Sequence, residues 1–154
     1  MFTYNKRYVL EVKGGGFMQT LRDDAAIILF DGLCNFCSGA VQFILRRDPR
    51  GLFRFASLQS DIGRRLLEEH GLPVDGLNTI VLIEAGRAYT RSTAALRIAR
   101  RLRGAWPLCY AAILIPPPLR NLGYAYIARN RYRWFGQAEH CMLPTASDRA
   151  RFLE

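Results

Sequence analysis

The sequence predicts an α/β fold, a mixed four-stranded sheet flanked by helices, with additional helices at the C-terminus. Three observations carry that reading. Strand-like runs recur at 27–30, 52–56, 79–84 and 88–91, and segments with helical spacing follow three of them. The resulting order is β-α-β-α-β-β-α. With 154 residues, half of them hydrophobic, the chain has the length of about one domain and enough apolar material for a sizeable core.

Residues 1–24 read as a lead-in, either flexible or contributing an edge strand through Tyr8-Val9-Leu10. Gly14-Gly15-Gly16 ahead of Met18 also fits an alternative start. Residues 25–154 read as a single domain with a helical C-terminal extension. Ile27-Ile28-Leu29-Phe30 is a buried strand that breaks at Asp31-Gly32. Residues 38–47 place Val41, Ile44 and Leu45 at helical spacing and end on Arg46-Arg47, where cations suit the helix dipole. Asp48-Pro49-Arg50-Gly51 stops that helix. Residues 52–56 alternate apolar and polar, and Ser57 or Ser60 caps the next helix, which runs to about His70 and ends at Gly71-Leu72-Pro73. Residues 79–84 and 88–91, joined across Ala85-Gly86-Arg87, form a hairpin, after which Ser92 or Thr93 caps a helix to about Arg103. This is the order of a thioredoxin-like domain. From Trp106 onward the chain reads as helical, with breaks at Pro116-Pro117-Pro118 and Gly136. Residues 119–133 are predicted as one helix with Leu122, Tyr126, Ile127 and Asn130 on a shared side.

The net charge is +9, and 20 of the 22 basic residues are arginine. Residues 85–138 hold ten arginines and no Asp or Glu. The basic C-terminal half therefore suits an acidic protein, an anionic substrate or a membrane surface, or else is a solvated arginine-rich surface. Arg129-Asn130-Arg131-Tyr132-Arg133-Trp134-Phe135 interleaves cations with aromatics, but no nucleic-acid motif accompanies it. The favoured reading is an amphipathic helix with arginines in water and aromatics in the core. No apolar stretch reaches the roughly 18–20 residues of a membrane span. The N-terminus lacks an export signal, which points to the cytoplasm.

Cys34 and Cys37 stand at the junction of the first strand and helix, and a dithiol there points to disulfide exchange. Cysteines at i and i+3 lie on one helix face within bonding range. Unpaired N–H groups at the helix start stabilise a thiolate, which makes Cys34 the expected nucleophile. Cys37, deeper in the helix and expected to be less exposed, would resolve the mixed disulfide. Asp31 either accepts N–H groups of the turn or exchanges protons with Cys37. Its negative charge cannot activate Cys34. A zinc site would need further ligands, and the candidates Cys109, Cys141, His140 and His70 supply no second close pair of cysteines. Cys109 reads as a packed apolar residue, Cys141 as packed or as a third redox thiol, and His70 as a helix end. No cofactor and no metal are called for.

Ile28 to Cys37, read as Ile-Leu-Phe-Asp-Gly-Leu-Cys-Asn-Phe-Cys, resembles the DCC family of predicted thiol-disulfide oxidoreductases, whose Asp and two Cys would be Asp31, Cys34 and Cys37. Arg54-Phe55-Ala56, Leu58-Gln59-Ser60, Ser92-Thr93-Ala94-Ala95-Leu96, Asn130-Arg131-Tyr132, Phe135-Gly136 and Cys141-Met142-Leu143-Pro144 extend the resemblance to most of the chain. It implies a thioredoxin-like domain with thiol-disulfide activity on a protein or small-molecule thiol or disulfide. One departure stands out. Where thioredoxins place a cis-proline opposite the dithiol, this chain has Leu77-Asn78-Thr79. The leading expectation is an oxidoreductase. The alternative is a non-catalytic binding module that presents the arginine-rich surface to an acidic protein, membrane or nucleic acid.

Overall fold

The computed structural model describes residues 25–77, 79–137, 139 and 144–153; the lead-in expected over 1–24 lies outside them. Strands β1 (Ala26–Phe30), β2 (Phe53–Ser57), β3 (Val81–Glu84) and β4 (Arg87–Thr90) form one sheet in the order β2-β1-β3-β4. β1 and β2 run parallel; β1 with β3, and β3 with β4, run antiparallel. The helices are α1 (Asn35–Arg47), α2 (Asp61–Glu69), α3 (Arg91–Arg101) and α4 (Pro117–Phe135), with short 3₁₀ segments at Trp106–Leu114 and Arg149–Arg151. This is the thioredoxin-like mixed sheet flanked by helices that the element order predicts.

Local chemistry sets the element ends. The Asp48 carboxylate caps α1's exit by accepting the N–H groups of Leu52 (3.2 Å) and Phe53 (3.0 Å), and it pairs with Arg151 from the C-terminal 3₁₀ segment. Ser60, one of the two caps the sequence offers for α2, takes the Gly63 N–H on its Oγ at 3.0 Å. Gly63 is required there, because a Cβ would lie 2.0 Å from the Ser57 carbonyl oxygen. The hairpin turn is tighter than expected: Ala85 and Gly86 both take positive φ, so a two-residue connection suffices and β4 begins at Arg87.

Alternation along the strands builds a core on each side of the sheet. Ile28, Phe30 and Phe55 pack with Val41 and Ile44 of α1 and with Ile98 of α3. Ile27, Leu29 and Val81 pack with Leu66 and Leu67 of α2. All five residues of β1 are buried, which explains why it reads as an unbroken apolar run.

The C-terminal helices depart from expectation. α4 packs its inner side on α1 and α3, so Leu122 and Tyr126 face solvent and not the core, while Ile127, less exposed, sits at the margin of the packed side. The inner side carries polar contacts, with the Thr79 hydroxyl donating to Tyr124 at 2.9 Å and Asn121 Oδ1 accepting from Ser92 at 2.6 Å. Cys109 is exposed and not packed away, because the 3₁₀ segment that carries it is apolar all round and covers only one side against α3.

Candidate active site

The turn between β1 and α1 is organised by Asp31. Its backbone carbonyl accepts the Cys34 N–H at 3.2 Å, and its Oδ1 accepts the Leu33 N–H at 3.0 Å. These bonds set Cys34 in extended geometry as the N-cap of α1, where its Sγ accepts the Cys37 N–H at 3.4 Å. A thiol thus does the work usually given to a Ser or Asp cap, and the donated N–H favours negative charge on that sulfur. Gln59, at the end of β2, braces the turn: its Oε1 accepts the Gly32 N–H at 3.1 Å and its Nε2 donates to Asp31 Oδ1 at 2.9 Å.

The other half of the site comes from α4, a hundred residues away. Arg131 is buried, and its guanidinium donates to Asp31 Oδ2 at 3.1 Å and reaches Cys37 Sγ at 3.6 Å. Tyr132 donates a hydrogen bond to the same Asp31 oxygen. Asp31 therefore fills both oxygens with donors from three elements, and Arg131 links it to the dithiol. Asp31 makes no hydrogen bond to Cys37 among the described residues.

The exposure of the two thiols is the reverse of the sequence expectation. Cys34 is 0% exposed and Cys37 is half-buried. What covers Cys34 is the chain leaving α4. Gln137 forms an isolated antiparallel bridge with Cys34, Asn35 Nδ2 donates to the Phe135 carbonyl at 3.0 Å, and the Phe36 and Phe135 rings meet at 5.0 Å. Gly136 turns the chain there with φ of 76°, a conformation that costs a glycine least.

Burial pushes the Cys37 thiol up to about 12, reinforced by its hydrogen bond to Cys34 and opposed by Arg131. Tyr132 is also pushed up to about 12, by burial first and then by its bond to Asp31. Burial works against the charge on Arg131, but Cys37, Cys34 and Tyr132 outweigh it and hold the guanidinium more firmly protonated. Cys37 also lines an apolar cavity of about 420 Å³ between the sheet, α1, α3 and α4. Its walls include Phe30, Phe43 and Ile98, its more exposed rim Phe36, Trp106 and Ile127, and Arg131 is a polar group on the wall beside the thiol.

A family model for DCC1-like thiol-disulfide oxidoreductases matches residues 28–137. The chain belongs to that family. It is 52% identical over 127 residues to the uncharacterized protein YuxK of Bacillus subtilis, covering 82% of this chain and 93% of that protein. It is 37% identical over 122 residues to a chloroplastic DCC family protein of Arabidopsis thaliana, covering 79% of this chain and 71% of the relative. No solved structure is a significant match.

The three DCC residues Asp31, Cys34 and Cys37 come together in one turn. Three further residues of the site, Gln59, Arg131 and Tyr132, escaped the sequence reading as site residues. The interleaved segment at 129–135 splits in a way periodicity did not anticipate: Arg131 turns inward to the DCC motif, while Trp134 and Phe135 remain exposed. A buried Asp needs a counter-charge, and that need was the available signal. Nothing local identified which of ten arginines would meet it. His70 caps the end of α2, with its Nδ1 2.8 Å from the Leu66 carbonyl. Among the described residues, no three His, Cys, Asp or Glu side chains converge. His140 and Cys141 lie outside the described residues, as does Asn78.

Proposed function

We propose that this DCC protein exchanges disulfides through Cys34 and Cys37, with Cys34 making the first attack. The observation that carries the reading is the asymmetry of the pair. Cys34 Sγ receives an N–H at the start of α1, whereas Cys37 holds its proton up to about 12. Burial therefore disfavours a Cys37 thiolate, while the N–H donated at the start of α1 favours Cys34 as the attacking sulfur.

In the reductive direction the Cys34 thiolate attacks a substrate disulfide, forms a mixed disulfide and expels one substrate thiolate. Cys37 then gives up its proton to the departing thiolate, attacks the Cys34 sulfur and releases the second half of the substrate. The substrate gains two electrons, and the protein is left with a Cys34–Cys37 disulfide; the oxidative direction is the reverse. Arg131, 3.6 Å from Cys37 Sγ, supports the transient charge on that sulfur. Asp31 keeps Arg131 in place and shapes the turn, so it acts as a positioning residue. Proton exchange between Asp31 and Cys37 would have to pass around Arg131.

Two features define the substrate's approach. The segment at 135–137 must yield for a substrate to reach Cys34, and the apolar cavity beside Cys37 suits a hydrophobic group next to the scissile disulfide. The cytoplasm, a reducing compartment, fits a chain with one close cysteine pair in this role. Trapping tests the proposal. A Cys37→Ser variant should accumulate a mixed disulfide on Cys34 that mass spectrometry detects, and Cys34→Ser should not. Trapping only in Cys34→Ser would reverse the roles; trapping in neither would end the enzymatic reading.

A further inference from the structure

We propose that the outward face of α4, with the adjoining 3₁₀ segment, seats the protein on an anionic lipid surface. This inference is independent of the redox reading. Leu119, Leu122 and Tyr126 recur at i, i+3 and i+7 along α4 and all point to solvent, Leu122 at 68% and Tyr126 at 63% exposure. Next to them in the chain, Leu114 is 85% exposed at the end of the 3₁₀ segment. Isolated exposed leucines are ordinary. A run of large apolar side chains on one helix face, joined to a second exposed apolar segment, marks a surface that something covers.

Charge identifies what covers it. Arg129 and Arg133 continue the same stripe, both exposed, and neither forms an ion pair among the described residues. No Asp or Glu occurs anywhere in 85–138. A second copy of the chain would bring this basic face against itself with no acid to answer it, so self-association is disfavoured. A surface that is at once apolar and negatively charged satisfies both halves of the stripe. Trp134 sits against Tyr126 with ring centroids 5.7 Å apart, placing two amphipathic rings where an interfacial helix needs them.

α4 would lie flat and not cross. No described helix is long and apolar enough to span a bilayer, and the opposite side of α4 is committed to Arg131, Tyr132 and Tyr124 in the protein interior. Docking in this pose brings Ile127, on the rim of the cavity, to the edge of the lipid contact.

The test is co-sedimentation of the full chain with phosphatidylcholine vesicles, with or without about one-third phosphatidylglycerol, at about 0.05 M and about 0.5 M salt. The expected result is binding to the phosphatidylglycerol vesicles that weakens at least about tenfold at high salt, with little binding to phosphatidylcholine alone. Arg129→Gln with Arg133→Gln should weaken it about 25-fold, about fivefold for each charge at the surface. Leu122→Glu with Tyr126→Glu should abolish it while far-UV circular dichroism stays unchanged. Brominated lipid should quench fluorescence in the wild type and less so in Trp134→Phe. Absence of binding to anionic vesicles overturns the proposal. So does equal binding by the arginine variant, which keeps the apolar face and would fold even if the glutamate variant did not. A dimer seen by light scattering without vesicle binding would assign the face to a second copy and overturn it as well.

Discussion

Removing the Arg131 guanidinium is the sharpest test of how the site is built. Arg131→Met keeps an unbranched apolar stem and leaves Asp31, 4% exposed, without its cation. At the observed 3.1 Å separation the attraction is about 5 kcal/mol for an effective dielectric constant near 20. Asp31 would retain the Leu33 N–H, the Gln59 amide and the Tyr132 hydroxyl as donors. The expected loss of stability is therefore at the low end for a broken buried pair, about 3 kcal/mol. Asp31→Asn should cost a similar amount, because it strands the buried guanidinium. Were the two residues independent, the double variant would lose roughly 6 kcal/mol; paired as described, it should lose about 2 kcal/mol, since no buried charge is left without a partner. Urea unfolding of the reduced protein, all four chains in the same excess of reductant, measures this cycle. Additive losses in the double variant would refute the pairing, as would a loss below about 1 kcal/mol in Arg131→Met. The double variant has a second readout, because stability recovered by removing both charges does not restore the cation beside Cys37. Its resolution step should remain slow.

Two further predictions concern pH and packing. Cys37 and Tyr132 hold their protons more tightly in the folded chain, so folding is favoured below their unfolded values of 9.0 and 10.0 and loses that support as pH rises through those values toward about 12. Stability of the reduced protein should therefore decline above pH 9, by at most about 1.4 kcal/mol per pH unit for each group and less where solvent screens it. Thermal melts of Cys37→Ser and Tyr132→Phe should each show a shallower alkaline decline; an unchanged slope in both would remove this account. Gly63→Ala should destabilise the chain by about 1–3 kcal/mol, where the same change at an open helical position would stabilise it by about 0.5–1 kcal/mol, because the new methyl would collide with the Ser57 carbonyl and force α2 away from β2. A melting temperature within a degree or so of wild type would show that the close approach is absent.

What the sequence alone determined is what short-range forces control. The unbroken run of β1, the alternation of β2, the Ser60 cap and the Pro and Gly stops each act over a few residues. The four strands, their order and the placement of Cys34 at the start of α1 were legible for that reason. The DCC triad was legible too, because Asp31, Cys34 and Cys37 occupy a single turn. Tertiary structure alone decided which arginine meets Asp31, since partners a hundred residues apart leave no periodic trace. It also decided which thiol is covered: Cys34 is fully buried where the chain leaving α4 bridges to it at Gln137, a segment about a hundred residues away. The orientation of α4 follows the same logic. Its apolar spacing resembled a core-facing stripe, but the need to bury Arg131 against Asp31 and Cys37 turned the opposite side inward and left Leu122 and Tyr126 to the solvent.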